Sequence, residues 1–232
     1  MRIVELLDER DPLADQALRL IEASFPREER QPVDKIRMEI QEKRLGLLTF
    51  YDFHLRAAVD DDGTLMGVIS GVYLESVNAG MVGYLAAKAE YRGQGVGRKL
   101  REGLIEAMRA NARTSEWDDM AYLLGEIEEE NDWLDRLVRS GAAVPFDLDY
   151  LQPRMRPADE PVPLVLYRQP IADTRVEMPV EEVRRLLFAI YRRGYRVAYP
   201  LQRQSFLTML GSLEGRETVG VHRRWREVTA SA

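Results

Sequence analysis

The sequence predicts an α+β fold: a mixed, mostly antiparallel central sheet flanked by helices, with a helical extension on its C-terminal side. Three observations carry that expectation. The apolar pattern switches between strand and helix periods through most of the chain, two hairpins in a row imply an antiparallel meander, and the last third turns helical. With 232 residues, 45% of them hydrophobic and 31% charged, the chain can build one sizeable core and still carry an extension.

Residues 2–7 read as a short first strand. Residues 11–25 follow as a helix with the apolar stripe Leu13, Ala17, Leu20, Ile21 and Phe25, and Pro26 stops it. Residues 33–43 form a second, more polar helix in which Ile36 and Ile40 stand four apart. Strands at 53–59, 64–73 and 81–87 are joined by Asp60-Asp61-Asp62-Gly63 and Asn78-Ala79-Gly80, both good turns. The period then changes: Val96, Leu100, Leu104, Ile105 and Met108 share one helical face. A strand at 121–127 and a helix at 131–139, closed by Ser140-Gly141, come next, then strands at 147–152 and 162–168. Residues 170–179 read as a connector. Beyond it, 180–193 is an amphipathic helix through Val183, Leu186, Leu187, Ile190 and Tyr191, and 202–213 is another. The chain therefore divides into a body, 1–170, and a helical extension, 171–232. The extension is too short to form a core unaided and is expected to pack on the body or across a homodimer.

Charge is unevenly spread. From Asp173 onward eleven Arg face seven acids, a surplus of +4 against a total of −6, so the rest of the chain carries −10. A basic tail beside an acidic body suggests docking on the body or on a second subunit. No nucleic-acid motif accompanies the charge, which argues against nucleic acid as a partner. Nothing approaches the roughly 18 apolar residues of a membrane span. Met1-Arg2-Ile3-Val4-Glu5 lacks the pattern of a secretory signal, so a cytoplasmic location is expected. There is no cysteine, which removes disulfides, thiolate metal sites and a cysteine nucleophile. The two histidines, His54 and His222, are far apart in sequence; no metal site is expected, although His54 alone could act as a base.

The chemistry concentrates in Arg92-Gly93-Gln94-Gly95-Val96-Gly97-Arg98, which lies between an apolar strand and an amphipathic helix. Glycines let the backbone turn tightly and approach a ligand. The first N–H groups of the helix have no internal partners, and with the helix dipole they stabilise a phosphate. Spacing discriminates among phosphate loops. The dinucleotide pattern G-x-G-x-x-G fails at Arg98 and again at Leu100, and the Walker pattern fails at Arg98. The pattern that fits is [Arg/Gln]-x-x-Gly-x-[Gly/Ala], as Arg92-x-x-Gly95-x-Gly97 after Glu90-Tyr91.

This loop closely resembles the pyrophosphate-binding motif of the GNAT superfamily of N-acetyltransferases. The resemblance extends over residues 1–170, with the motif itself at 83–104. It implies acetyl-CoA as cosubstrate and direct transfer of acetyl to a primary amine of a small molecule or a protein. It also implies that Leu85 and Ala87 present backbone to the acetyl and pantetheine groups, and that Gln94, Gly95, Val96, Gly97 and Arg98 offer N–H groups to the pyrophosphate. Asn131 matches the Asn that contacts the pantetheine arm, and strands 81–87 and 121–127 would splay to admit it.

The match departs from the family at one place. Members commonly carry a Tyr four residues before the glycine that ends the late helix; here that glycine is Gly141 and the position holds Leu137. Tyr150, from the following strand, can substitute as general acid, as can Tyr122 or Tyr84; alternatively the thiolate departs unassisted and water protonates it. For the base, Glu126 at the end of its strand comes first, then Glu28 and Glu29, then Glu75 and His54. Glu128-Glu129-Glu130 is either a solvated run or a lure for a cationic acceptor. The missing Tyr keeps open a second reading, an acyl-CoA-binding regulatory or scaffold module without catalysis.

Overall fold

The computed structural model describes residues 1–229. Arg2–Glu5 (β1) enters the sheet edge, antiparallel to a later strand. Pro12–Ser24 (α1) starts where Asp11 accepts the Leu13 N–H at 2.8 Å, an N-cap with proline in the first turn. Its buried stripe is Ala14, Ala17, Leu18 and Ile21, one step around from the expected one, and Leu13, Leu20 and Phe25 pack at its margin. Val33–Arg44 (α2) buries Ile36 and Ile40, and between them Glu39.

Tyr51–Val59 (β2), Leu65–Leu74 (β3) and Ala79–Ala87 (β4) form the expected antiparallel meander. Every residue of β3 is buried, because the sheet is covered on both faces. On one side Met66, Ile69 and Tyr73 meet Val96, Leu100, Leu104 and Met108 of Val96–Thr114 (α3). A separate cluster joins Val68, Val72 and Leu74 to α1 and α2. Such two-sided burial explains why β3 is a continuous apolar run and not an alternating one.

Tyr122–Ile127 (β5) runs parallel to β4, the one parallel pairing in the main sheet among the described residues. Asp132–Arg139 (α4) follows, then Val144–Pro145 (β6), Tyr150–Gln152 (β7) and Val162–Pro170 (β8), with β6 and β7 both pairing antiparallel to β8. The sheet order is β1-β2-β3-β4-β5-β8-β6. The strand expected at 147–152 begins only at Tyr150. Upstream of it the chain turns, and Asp147 is drawn to Arg216 and Arg226 at 3.3 and 2.7 Å.

In the extension, Met178–Pro179 (β9) pairs with Thr218–Val219 (β10) as a small ribbon, and Val180–Ala189 (α5), Gln204–Ser212 (α6) and Arg226–Thr229 (α7) are helical. The helix expected over 180–193 changes character at its end. Ile190–Gly194 is a π turn, in which the Tyr195 N–H reaches back five residues to Ile190 O at 2.9 Å. Val183, Leu186, Leu187, Ile190, Tyr191, Phe206 and Met209 are buried in the same cluster as α1 and α2. Beneath the connector lies Arg168, wholly buried, donating to Arg175 O and lying over the rings of Tyr122 and Phe146. No helix among the described residues is long and apolar enough to cross a membrane.

Candidate active site

Strands β4 and β5 pair only at Ala79↔Tyr122, Gly80↔Leu123 and Met81↔Leu124, and then part. Residues 82–87 of β4 keep their partner in β3, through a bulge in which Ile69 faces Leu85 and Gly71 faces Val82. Inside the bulge the Tyr84 N–H goes to Ser70 Oγ at 3.1 Å. The opposite edge of 82–87 faces a cavity of about 500 Å³ instead of a strand. Val82, Gly83 and Leu85 line one wall; Glu126, Asn131 and Tyr167 are on the other. Arg101 of α3 bridges one part of the rim, binding Gln169 Oε1 at 2.6 and 3.0 Å and lying 5.3 Å over Trp133.

Gly125 shapes the β5 side. Its cross-strand neighbour Tyr167 folds over it, and a Cβ at 125 would stand inside the phenol ring. Gly125→Ala is therefore expected to push Tyr167 toward the cavity and to destabilise the fold by about 1–3 kcal/mol. A urea midpoint equal to the parent's would show that the ring moves aside freely.

The glycine loop turns through the short 3-10 segment Ala89–Tyr91 into α3. Gly93 and Gly95 both sit at φ +78°, left-handed backbone that side-chain-bearing residues rarely adopt. Gly95 is the N-cap of α3 and supplies no side-chain cap; Lys99 is the first residue to bond back, to Gly95 O at 3.1 Å. The amides of Val96, Gly97 and Arg98 thus meet no acceptor among the described residues and are free for an anion. The Gln94 amide is instead engaged, with Tyr91 O at 3.4 Å, and its side chain donates to Glu90 O at 2.9 Å. Arg92 and Arg98 are exposed. The start of α3 adjoins the cavity, since a Cβ on Gly97 would touch Leu85. Ala87, half-buried at the end of β4, pairs with Gly67.

Glu126 is the chemical centre of the cavity wall. Tyr150 donates its hydroxyl to one carboxylate oxygen and Tyr195 to the other. Gln152 Nε2 donates to Tyr195 Oη at 3.0 Å and to Glu29 O at 3.3 Å. Burial pushes the Glu126 carboxyl up to about 7, against the two phenol bonds that pull it down. Burial, followed by the adjacent carboxylate, raises both phenols well above their ordinary range. Tyr195 is the residue the sequence reading missed, because it comes from the extension and from the π turn that interrupts the expected helix.

The remaining candidates are scattered. Asn131 lines the cavity and caps α4, accepting the Trp133 N–H at 3.0 Å. Glu29 also lines it, its carboxyl raised by burial and then by Glu128 and Glu28, while Glu28 is exposed. Tyr84 is buried against Phe25 and accepts the Gln31 N–H at 2.7 Å. Tyr122 is buried beneath Arg168, which keeps it in the core. His54 is tied to Glu5 at 2.8 Å and Asn111 at 2.7 Å, and Glu75 opens a 3-10 turn after β3. Leu137 packs with α4 against Leu134, Val138 and Tyr167.

The family model described as the acetyltransferase (GNAT) family matches residues 15–122. That match takes in the loop and ends at the start of β5, before Glu126, Tyr150 and Tyr195. Among solved structures, a GNAT-family protein from Bacteroides thetaiotaomicron superposes with a TM-score of 0.62 at 18% identity, covering 85% of this chain and 99% of its own. A ribosomal-protein-alanine N-acetyltransferase from Brucella melitensis gives 0.50 at 19% identity, over 74% and 99%. A GNAT-family acetyltransferase from Staphylococcus aureus gives 0.50 at 11% identity, over 72% and 98%. At these identities the likeness is one of fold. No curated protein matches the chain.

Proposed function

We propose, from the match of residues 15–122 to the acetyltransferase (GNAT) family model, that the chain is an acetyl-CoA-dependent N-acetyltransferase that moves acetyl directly to a primary amine of a small molecule or a protein. Acetyl transfer is the activity that the family's description names. The observation that carries the fuller reading is the parting of β4 from β5, with free helix-start amides beside it and a carboxylate held between two phenols on its wall. The amides of Val96, Gly97 and Arg98 suit the pyrophosphate, and the unpaired edge of 82–87, with Leu85 and Ala87, suits the pantetheine arm and thioester.

Proton traffic then falls to Glu126. An alkylammonium of pKa about 10 must lose a proton before it attacks. A carboxylate raised to about 7 is a better base for that step than an ordinary one. Once protonated, Glu126 is a stronger acid than a departing thiol of pKa about 8.5 and can return the proton to it, while the second proton of the attacking nitrogen leaves to solvent as the amide forms. The buried phenols are weaker acids than either, so Tyr150 and Tyr195 act chiefly as positioning residues, each fixing one carboxylate oxygen. This division of labour compensates for Leu137 and changes the first role given to Tyr150.

Isothermal titration with acetyl-CoA, followed by a thiol-release assay over a panel of amines, tests the reading. Binding with turnover of at least one amine is expected. Tight binding with no turnover on any amine would favour a binding module without catalysis. Absence of acetyl-CoA binding would overturn both.

A further inference from the structure

Gly83 lines a second and much smaller cavity, of about 40 Å³, beside the cleft. Its polar wall comes from Glu39, Ser70, Tyr84, Gln152 and Tyr195, and Gly194 of the π turn closes part of it. Two of these groups carry unmet demands. Glu39 Oε1 and Gln152 Oε1 are buried without a hydrogen-bond partner, and the Glu39 side chain is only 3% exposed. The amide of Gln152 cannot be turned around to relieve this, because its NH2 end already donates to a carbonyl, Glu29 O. The Arg196 guanidinium stands 3.9 Å from Glu39 Oε1, too far for a hydrogen bond, and pairs with Glu42 at 2.9 Å.

Gln152 Oε1 is an acceptor, and both Glu39 oxygens are acceptors once the carboxyl is ionised, so the ionised pocket calls for a guest made of donors. Leaving a buried acceptor unpaired is costly, and here two such atoms belong to residues that line one small cavity. Water would bring two donors and no charge. An ammonium group brings three donors and the charge that a carboxylate prefers. The volume admits such a group with its first methylenes and is too small for a guanidinium on a long stem or a quaternary amine. Burial raises the Glu39 carboxyl to about 8, so an ammonium guest takes hold by driving off that proton and pairing with the carboxylate that remains. Tyr195 joins the two cavities, since it walls the small one and donates to Glu126 in the large one.

We propose that this cavity is a subsite for a second ammonium group of the acceptor, held by Glu39 Oε1 and Gln152 Oε1, so that the enzyme prefers short diamines to monoamines. The inference rests on the transferase reading for its use, and on the orphaned oxygens for its chemistry. It makes α2 and the extension joint determinants of acceptor choice.

Isothermal titration of the full chain with putrescine, and with n-butylamine as its one-cation counterpart, reads the subsite directly; ethylenediamine and cadaverine bracket the spacing. The best-fitting diamine should bind at least about tenfold more tightly than n-butylamine, and Glu39→Gln should remove that margin. Gly194→Ala, which adds a methyl to the wall 3.2 Å from Met81 Sδ, should weaken the diamine without touching the charge. Circular dichroism confirms that each variant is folded; if Glu39→Gln is not, Gly194→Ala decides. Equal affinity of the parent for mono- and diamines, or a margin that survives in the folded variants, overturns the subsite. Acetyl-CoA is titrated in parallel, and its failure to bind overturns the transferase reading instead.

Discussion

Glu126→Gln is expected to lower kcat by about 10²–10⁴-fold, the range for loss of a positioned general base. Acetyl-CoA affinity should be retained, because the proposed cofactor contacts are backbone groups on β4 and the start of α3. Glutamine keeps the shape but offers one acceptor where two phenols now donate, so Tyr150 or Tyr195 loses its partner as well. The pH profile gives a second readout. In the parent, kcat/KM should climb as pH rises through about 7, where Glu126 becomes the free base, and that limb should vanish in the variant. Stability should move the other way. The folded protein holds the Glu126 proton up to about 7 and the unfolded chain releases it near 4.5, so the native state loses ground as pH rises through that window. Denaturant midpoints across the window should therefore fall less steeply in the variant. An unchanged kcat would remove Glu126 from the mechanism.

Deleting residues 171–232 is expected to leave no folded domain. The extension buries Val183, Leu186, Leu187, Ile190, Tyr191, Phe206 and Met209 in the cluster that also holds α1 and α2. Each such side chain is worth about 1.5–3 kcal/mol when fully buried, and whole domains are stable by only about 5–15 kcal/mol. The loss goes beyond apolar area. Without the connector, buried Arg168 gives up Arg175 O and Asp173, leaving a charge beneath the sheet with fewer partners still. Circular dichroism and a thermal melt decide the matter: a cooperative transition in residues 1–170 alone would make the extension an accessory.

What the sequence disclosed follows from the range of the forces involved. The meander, the long helix after the glycine loop and its anion-ready start depend on local period and on residues within one turn, and these were legible. Glu126 could be chosen because a carboxylate closing an apolar strand is conspicuous on its own. The stripe of α1 was misplaced by one step, since Leu18 and Leu20 are equally apolar and only the sheet decides between them. Tyr195 was invisible because its meaning lies in a contact 69 residues upstream, and because a π turn leaves no mark in a 3.6-residue period. Glu39 was hidden in a helix read as polar, where one more charged residue draws no notice. The short strands β6, β9 and β10 have two residues each, too few for any alternation to register.

The wide turn at Ile190–Gly194 also sets an order of events during synthesis. Glu126 is made 24 residues before its first phenol and 69 before its second. A nascent chain that has already exposed the glycine loop can begin to wind α3, yet the Glu126 carboxylate still lacks half of its support. The first two-thirds of the molecule must wait, partly formed, for a segment from the last third. Such late, long-range closure is slow and leaves apolar surface uncovered in the meantime. Glu126 thus gains its full set of partners late, and a chain stalled before Tyr195 emerges would lack both the second phenol and the part of the extension that completes the core.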